Sequence, residues 1–308
     1  MERGAAAKFM VMAALSGMVG CESKVATAVS PPAHIWEEFS GEKALEHVRR
    51  LLDLGPRPPG STALEKSRAY ITAQLESSGW KVTQQAFEDD TPVGKVHFVN
   101  LIATFASRKT SGDPLFLVCS HYDTKTFETV EFVGANDGGS STGALLELAR
   151  VLSRNPELAA RIELVFFDGE EAYESFTETD GLYGSRYFTR QLVAENKTRS
   201  FRGGILWDMI GDRDLTITLP PDSPSQLADG IFAAAQALDL RKHFTYFRGG
   251  ITDDHTPLNS AGIPTIDLID FDYPPWHSAG DTIDKLSAAS LQIVGRVTAF
   301  YLSELAFK

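Results

Sequence analysis

Two adjacent carboxylates, Glu170 and Glu171, close the run Ile162-Glu-Leu-Val-Phe-Phe-Asp-Gly-Glu-Glu171. Burying an unpaired carboxylate is costly, so a pair at the end of an apolar strand calls for a positive partner. In open α/β sheets, ligands gather outside the carboxyl ends of the strands. One carboxylate there can hold a cation while its neighbour, turned the other way, moves protons. The reading assigns the ion to Glu171 and the proton to Glu170.

Other candidate ligands stand at the ends of elements spread over the chain: His121, Asp123, Asp137, Asp208, Asp253, Asp254, His255 and His277. What such distant residues can share is a sheet edge. In extended backbone, residues i and i+2 point the same way, so Asp123 could orient His121. Asp137 lies among Gly134, Gly138 and Gly139, where backbone can approach a ligand closely, although a plain helix-capping Asp fits as well. Asp208 ends the apolar Gly204-Ile-Leu-Trp-Asp208, and a buried Asp needs partners. Asp253-Asp254-His255 opens a helix-like segment with more charge than the helix end requires. Pro274 and Pro275 restrict the backbone before His277 and set Trp276 as a pocket wall. One Asp, one Glu and one His make a three-ligand zinc site with an open position.

The elements that must position these residues follow from periodicity. Ser40 caps a helix whose apolar positions 44, 45, 48, 51 and 52 have helical spacing. Gly55-Pro-Arg-Pro-Pro-Gly60 breaks it, and a second helix runs from 63 to 78. Strands are predicted at 81–87, 96–105, 115–120, 162–168, 205–210 and 263–269. Helices are predicted at 142–153, 183–195, 223–238 and 286–305. Continuous apolar strands alternating with helices give a three-layer α/β fold: a central mixed, largely parallel, twisted sheet with helices on both faces.

The chain has 308 residues, 43% hydrophobic and 23% charged, as expected of a globular protein. Its net charge of -12 and the lack of a basic stripe argue against nucleic acid. Residues 1–21 read as a signal peptide: Arg3 and Lys8 precede a short apolar run ending Met18-Val-Gly-Cys21, which resembles a bacterial lipoprotein signal. Lipidation of Cys21 would be the protein's one link to a membrane, with the outer membrane favoured and the periplasm, or secretion, as the destination. Residues 22–36 read as a flexible tether, and 37–308 as a single catalytic domain. Cys119 would then lack an intrachain partner and serve as a small buried thiol.

His121-Tyr-Asp-Thr-Lys125, Gly134-Ala-Asn-Asp-Gly138, Phe166-Phe-Asp-Gly-Glu-Glu-Ala172, Leu182-Tyr-Gly-Ser-Arg186, Asp208-Met-Ile-Gly211, Asp253-Asp-His-Thr-Pro257 and Trp276-His277 together resemble the zinc-dependent aminopeptidase superfamily. Within it, the animal-type glutaminyl cyclases are the nearer likeness. The resemblance spans residues 40–306 in order. It implies one zinc on Asp137, Glu171 and His277, with Glu170 as proton shuttle and Asp208 and Asp253 as acidic partners near the substrate. Trp276, Phe176, Tyr273 and Lys125 are the implied substrate-binding residues. His121 and Asp208 match ligands of a second metal in the aminopeptidases. The implied reaction turns an amino-terminal Gln of a peptide or protein into pyroglutamate and releases ammonia, and a monomer is expected. There are departures: Phe176 stands where the cyclases carry Trp, Tyr273 stands in place of a Phe, and Asn136-Asp-Gly-Gly-Ser-Ser141 is richer in glycine, as in the peptidases. Removal of amino-terminal residues by a zinc aminopeptidase is therefore the alternative. A silent binding domain is disfavoured by Glu170 standing beside a full ligand set.

Overall fold

The strand Leu115–His121 (β3) shows why the domain has three layers. All seven of its residues are buried. Side chains alternate across a strand, so Phe116 and Val118 join one apolar core and Leu115, Leu117 and Cys119 join another. A strand covered on both faces needs helices on both, and the chain supplies them.

The computed structural model describes residues 34–108 and 112–308, together with Met1, Glu2 and Gly4. The signal segment and the tether up to residue 33 thus lie almost wholly outside the described residues. The end of the tether differs from expectation. Ile35–Glu38 forms a 3-10 turn in which Ile35 and Trp36 are buried, and Trp36 packs edge-on against Phe300. Their apolar surface draws them into the core.

Helix α1 (Gly41–Leu52) is capped by the Ser40 hydroxyl, and α2 (Thr62–Ser77) by that of Ser61. Strands β1 (Trp80–Thr91) and β2 (Gly94–Phe105) form a hairpin longer than the apolar pattern indicated. Helix α3 (Gly139–Leu152) follows β3 and, through the short α4 (Pro156–Ala159), leads to β4 (Ile162–Phe167). Then come α5 (Tyr183–Ala194), β5 (Phe201–Asp208), β6 (Ile217–Leu219), α6 (Ser225–Ala237), β7 (Phe244–Tyr246), α7 (His255–Ser260), β8 (Thr265–Ile269) and α8 (Ala288–Glu304).

The eight strands form one sheet in the order β1-β2-β4-β3-β5-β8-β6-β7. Its centre, β4-β3-β5-β8, is parallel, while β1, β2 and the β6–β8 bridge run antiparallel. This is the mixed, two-side-covered sheet predicted. Helices α1, α2, α3, α6 and α8 cover the face that includes Phe116, Phe166 and Trp207, and α5 and α7 cover the other. Two expectations are corrected. Strand β5 ends at Asp208, because Met209 takes a left-handed φ of +46° and turns the chain off the sheet. Strands β6 and β7, of three residues each, were not foreseen; so short a run carries no readable period. Among the described residues, no helix is long and apolar enough to cross a membrane.

Candidate active site

The four central strands point the same way, so their carboxyl ends meet at one edge. His121 is the last residue of β3, Asp208 the last of β5, and Glu170-Glu171 follow β4. His277 follows β8 after a loop. Asp137 arrives from the turn that opens α3. Gly138 makes that turn possible: its φ is +72°, and a Cβ there would stand 2.6 Å from the Asp123 carbonyl oxygen and 2.9 Å from the His121 ring.

Three triads result among the described residues: two share Asp137, and the third is Asp253, His255 and Asp267. His277 Nε2 lies 3.2 Å from Glu171 Oε2 and 3.4 Å from Asp137 Oδ2. His121 Nε2 lies 3.3 Å from Asp137 Oδ1 and 3.2 Å from Asp208 Oδ1. In each triad the candidate donor atoms lie within 4.8 Å of one another. The triads differ in how their atoms are satisfied. Asp137 Oδ2 and both Glu171 oxygens are buried without a hydrogen bond, since the approach of His277 is not aligned as one. In the second triad, His121 already serves Asp208 through a hydrogen bond of 3.2 Å.

The electrostatics describe a place short of positive charge. Burial alone would lower the His277 pKa, yet Asp137 and Glu171 raise it to about 9. Burial likewise opposes a proton on His121, and Asp123, Asp137 and Asp208 overcome it. Burial, with Asp137 beside it, pushes Glu171 up to about 7. Glu170 is raised well above the carboxylate range, by burial first and by Glu171 and Asp253 in addition. An orphaned Asp–Glu–His set of this kind fits a divalent cation with nitrogen and oxygen ligands.

Supporting residues hold these groups in place. The Asp123 carboxylate lies 3.4 Å from His121 Nδ1. It also accepts the backbone N–H of Glu170 at 3.2 Å and of Glu171 at 3.4 Å, so one side chain ties β3 to the Glu pair. Asp281 accepts the N–H of Asn136 at 2.8 Å and of Asp137 at 3.1 Å. The fully buried Arg57 guanidinium donates to the carbonyls of Tyr122, Val133 and Gly134. Asp267, in the middle of β8, lies 3.5 Å from His255 Nδ1 and extends the acidic patch below Asp253. Sequence reading missed Arg57, Asp281 and Asp267. The one signal among them was Asp267, a lone charge inside the apolar Ile266-Asp-Leu-Ile269.

The pocket over the first triad is lined by Glu170, Asp208, Asp253, Phe176, Phe271 and Trp276, among others. Trp276 stacks on His277 with ring centroids 4.1 Å apart. His277 holds a left-handed φ of +52°, a strained state that persists where surrounding structure imposes it. Two expected substrate-binding residues stand elsewhere. Tyr273 is buried behind the wall, because its hydroxyl donates to Asp281 Oδ1 at 2.7 Å, and Phe271 takes its place facing the pocket. Lys125 donates to the Ala172 carbonyl and holds Nζ 3.9 Å from Glu171 Oε2; it pairs with that carboxylate and does not line the pocket. A cavity of about 760 Å³ lies at the opposite ends of the strands, beside Lys81, Thr104 and Leu115. It is remote from the carboxylates.

Residues 100–302 match peptidase family M28. The chain is 30% identical over 293 residues to a glutaminyl-peptide cyclotransferase of Drosophila melanogaster, covering 85% of this chain and 82% of that one. A solved glutaminyl cyclase from an Acidobacteriales bacterium is similar with a TM-score of 0.80 and 31% identity, over 86% of this chain and 94% of the other. A Zn-dependent exopeptidase of Parabacteroides distasonis is similar with a TM-score of 0.76 and 26% identity, over 87% and 99%. The α/β sheet with acidic and histidine groups at its carboxyl edge thus has its class: the chain belongs to peptidase family M28. Within that family it stands with the glutaminyl-peptide cyclotransferases.

Proposed function

We propose that this protein is a zinc-dependent glutaminyl-peptide cyclotransferase, with Asp137, Glu171 and His277 holding one zinc ion. The observation that carries the metal assignment is the set of buried, hydrogen-bond-free oxygens on Asp137 and Glu171. The assignment of the reaction follows the cyclotransferase relatives. A zinc ion bound there supplies Lewis-acid polarisation of a carbonyl in the open position.

The protein's own residues account for the rest. The pocket brings the α-amine and side-chain amide of an amino-terminal Gln together, which removes much of the entropic barrier to ring closure. The amine nitrogen bonds to the side-chain amide carbon, and the bond from that carbon to the amide nitrogen breaks. Glu170 takes the proton from the amine and delivers it to the departing ammonia. Burial first, then Glu171 and Asp253, raise its pKa, which favours its holding a proton between the two transfers. Asp208 and Asp253 line the same pocket and serve as acidic hydrogen-bonding partners of the substrate amine. Trp276, Phe176 and Phe271 keep water from competing with the amine.

Purified protein given Gln-initiated peptides is expected to release ammonia and leave the peptide bond intact. Free amino acid without pyroglutamate would overturn the proposal. The second triad and the exopeptidase neighbour favour one other reading, an aminopeptidase that cleaves the first peptide bond. Turnover of a Leu-anilide, which a cyclase leaves alone, separates the two. We further propose that residues 1–21 direct export with lipidation at Cys21, which mass spectrometry of the mature amino terminus tests.

A further inference from the structure

The pocket above the first triad has a volume of about 30 Å³, room for the reacting atoms and little more. A peptide substrate must lie mostly outside it. Phe176 and Thr252 line that pocket, and both also line a neighbouring cavity of about 450 Å³. This cavity runs between the loop before α5 and the helix α7. Its sides include Thr177, Glu178, Leu182, Pro257 and Ser260. Arg186, Pro257 and Ser260 in turn line a further cavity of about 480 Å³ along α5. Shared residues therefore set these cavities side by side, from the catalytic pocket outward over α5 and α7.

We propose that together they form a groove that binds the peptide chain following the substrate's amino-terminal Gln. The inference rests on the cyclotransferase reading above. The chemistry of the walls suits an extended peptide. Pro257 gives apolar surface for small side chains, and the hydroxyls of Thr252 and Ser260 can pair with peptide N–H and C=O groups. The loop wall is held in place before any ligand arrives. Asp180 accepts the N–H groups of Tyr173 at 2.8 Å, Glu174 at 2.8 Å and Ser175 at 3.1 Å, and the Tyr183 hydroxyl at 2.9 Å. The Arg186 guanidinium donates to the carbonyls of Thr177 and Glu178. A wall ordered in advance lowers the cost of ordering it on binding.

The test compares two substrates, the amide of Gln-Ala and the amide of Gln-Ala-Ala-Leu-Ala-Ala, by kcat/KM for ammonia release. Ser260 and Glu178 are exposed and stand on opposite walls. Ser260→Trp and, separately, Glu178→Trp fill the groove. Each is expected to lower the ratio of hexapeptide to dipeptide kcat/KM about tenfold, the scale of one lost side-chain contact. A ratio is insensitive to how much of a variant folds. If the ratio stays at the unmodified value in both variants, the groove does not bind the chain and the inference is wrong. If the unmodified protein releases ammonia from neither peptide, the cyclotransferase reading fails instead, and the groove falls with it.

Discussion

The two triads that share Asp137 use the same kinds of donor, yet their oxygens are hydrogen-bonded differently. In the triad of Asp137, Glu171 and His277, three buried oxygens lack hydrogen bonds. In the triad of His121, Asp137 and Asp208, the imidazole hydrogen-bonds Asp208 and lies 3.3 Å from the other oxygen of Asp137. Three oxygens without hydrogen bonds call for an external cation. Against burial, both imidazoles are pushed toward the charged form by the acids around them, so the contrast lies in the hydrogen bonding of the individual oxygens. Residue type alone therefore does not count metals; the partners of the individual oxygens have to be read as well.

The largest effect should come from the triad with unmet oxygens. His277→Ala is expected to remove zinc and lower activity by about a thousandfold or more, the scale of several kcal/mol of Lewis-acid stabilisation. Metal analysis beside ammonia release checks it, and retention of one zinc per chain would break the comparison. Glu170→Gln should lower kcat by about 10²–10⁴-fold, as for loss of a general acid–base group, with zinc content unchanged. Full activity in that variant would remove Glu170 from the mechanism.

His121→Ala tests the other triad. Removing the cation of a buried pair costs about 3–5 kcal/mol, so denaturant unfolding should show a loss of that order while the folded fraction still carries one zinc. Two zinc per unmodified chain would reverse the contrast and favour the peptidase. A half-buried histidine away from the site sharpens it with the smallest effect. His47 is held by the Tyr70 hydroxyl at 2.7 Å, not by a set of acids, and burial lowers its pKa below 6.5. The folded state then binds a proton less readily than the unfolded chain. Its contribution is present above pH 6.5 and is lost as pH falls through that value toward the folded pKa. Melting temperatures from pH 7.5 to 5 should fall less steeply for His47→Gln than for the unmodified protein; parallel curves would refute this.

Much of the fold was legible because burial on both faces leaves unbroken apolar strands and an amphipathic stripe on α1. The long hairpin was only half visible. Glu88, Asp89 and Asp90 lie on an exposed edge where pairing with His97, Val96 and Lys95 sets the strand, and side-chain pattern does not. Strands β6 and β7 are defined by their neighbours alone. Of the site, the residues at strand ends could be named from the chain, since charge after an apolar run is conspicuous. Tyr273 and Lys125 could not be placed, because their direction depends on partners, Asp281 and the Ala172 carbonyl, that are far away in sequence.

The chain by itself determined which residues must stand at strand ends and that charge would accumulate there. The order of the strands, and so which carboxylates face each other, was decided in three dimensions. A period-two strand specifies its two faces but not its neighbour. Parallel packing of β4, β3, β5 and β8 turns separate acids and histidines into one set of donors. Only that packing buries the Glu171 and Asp137 oxygens deeply enough to leave them in need of a cation.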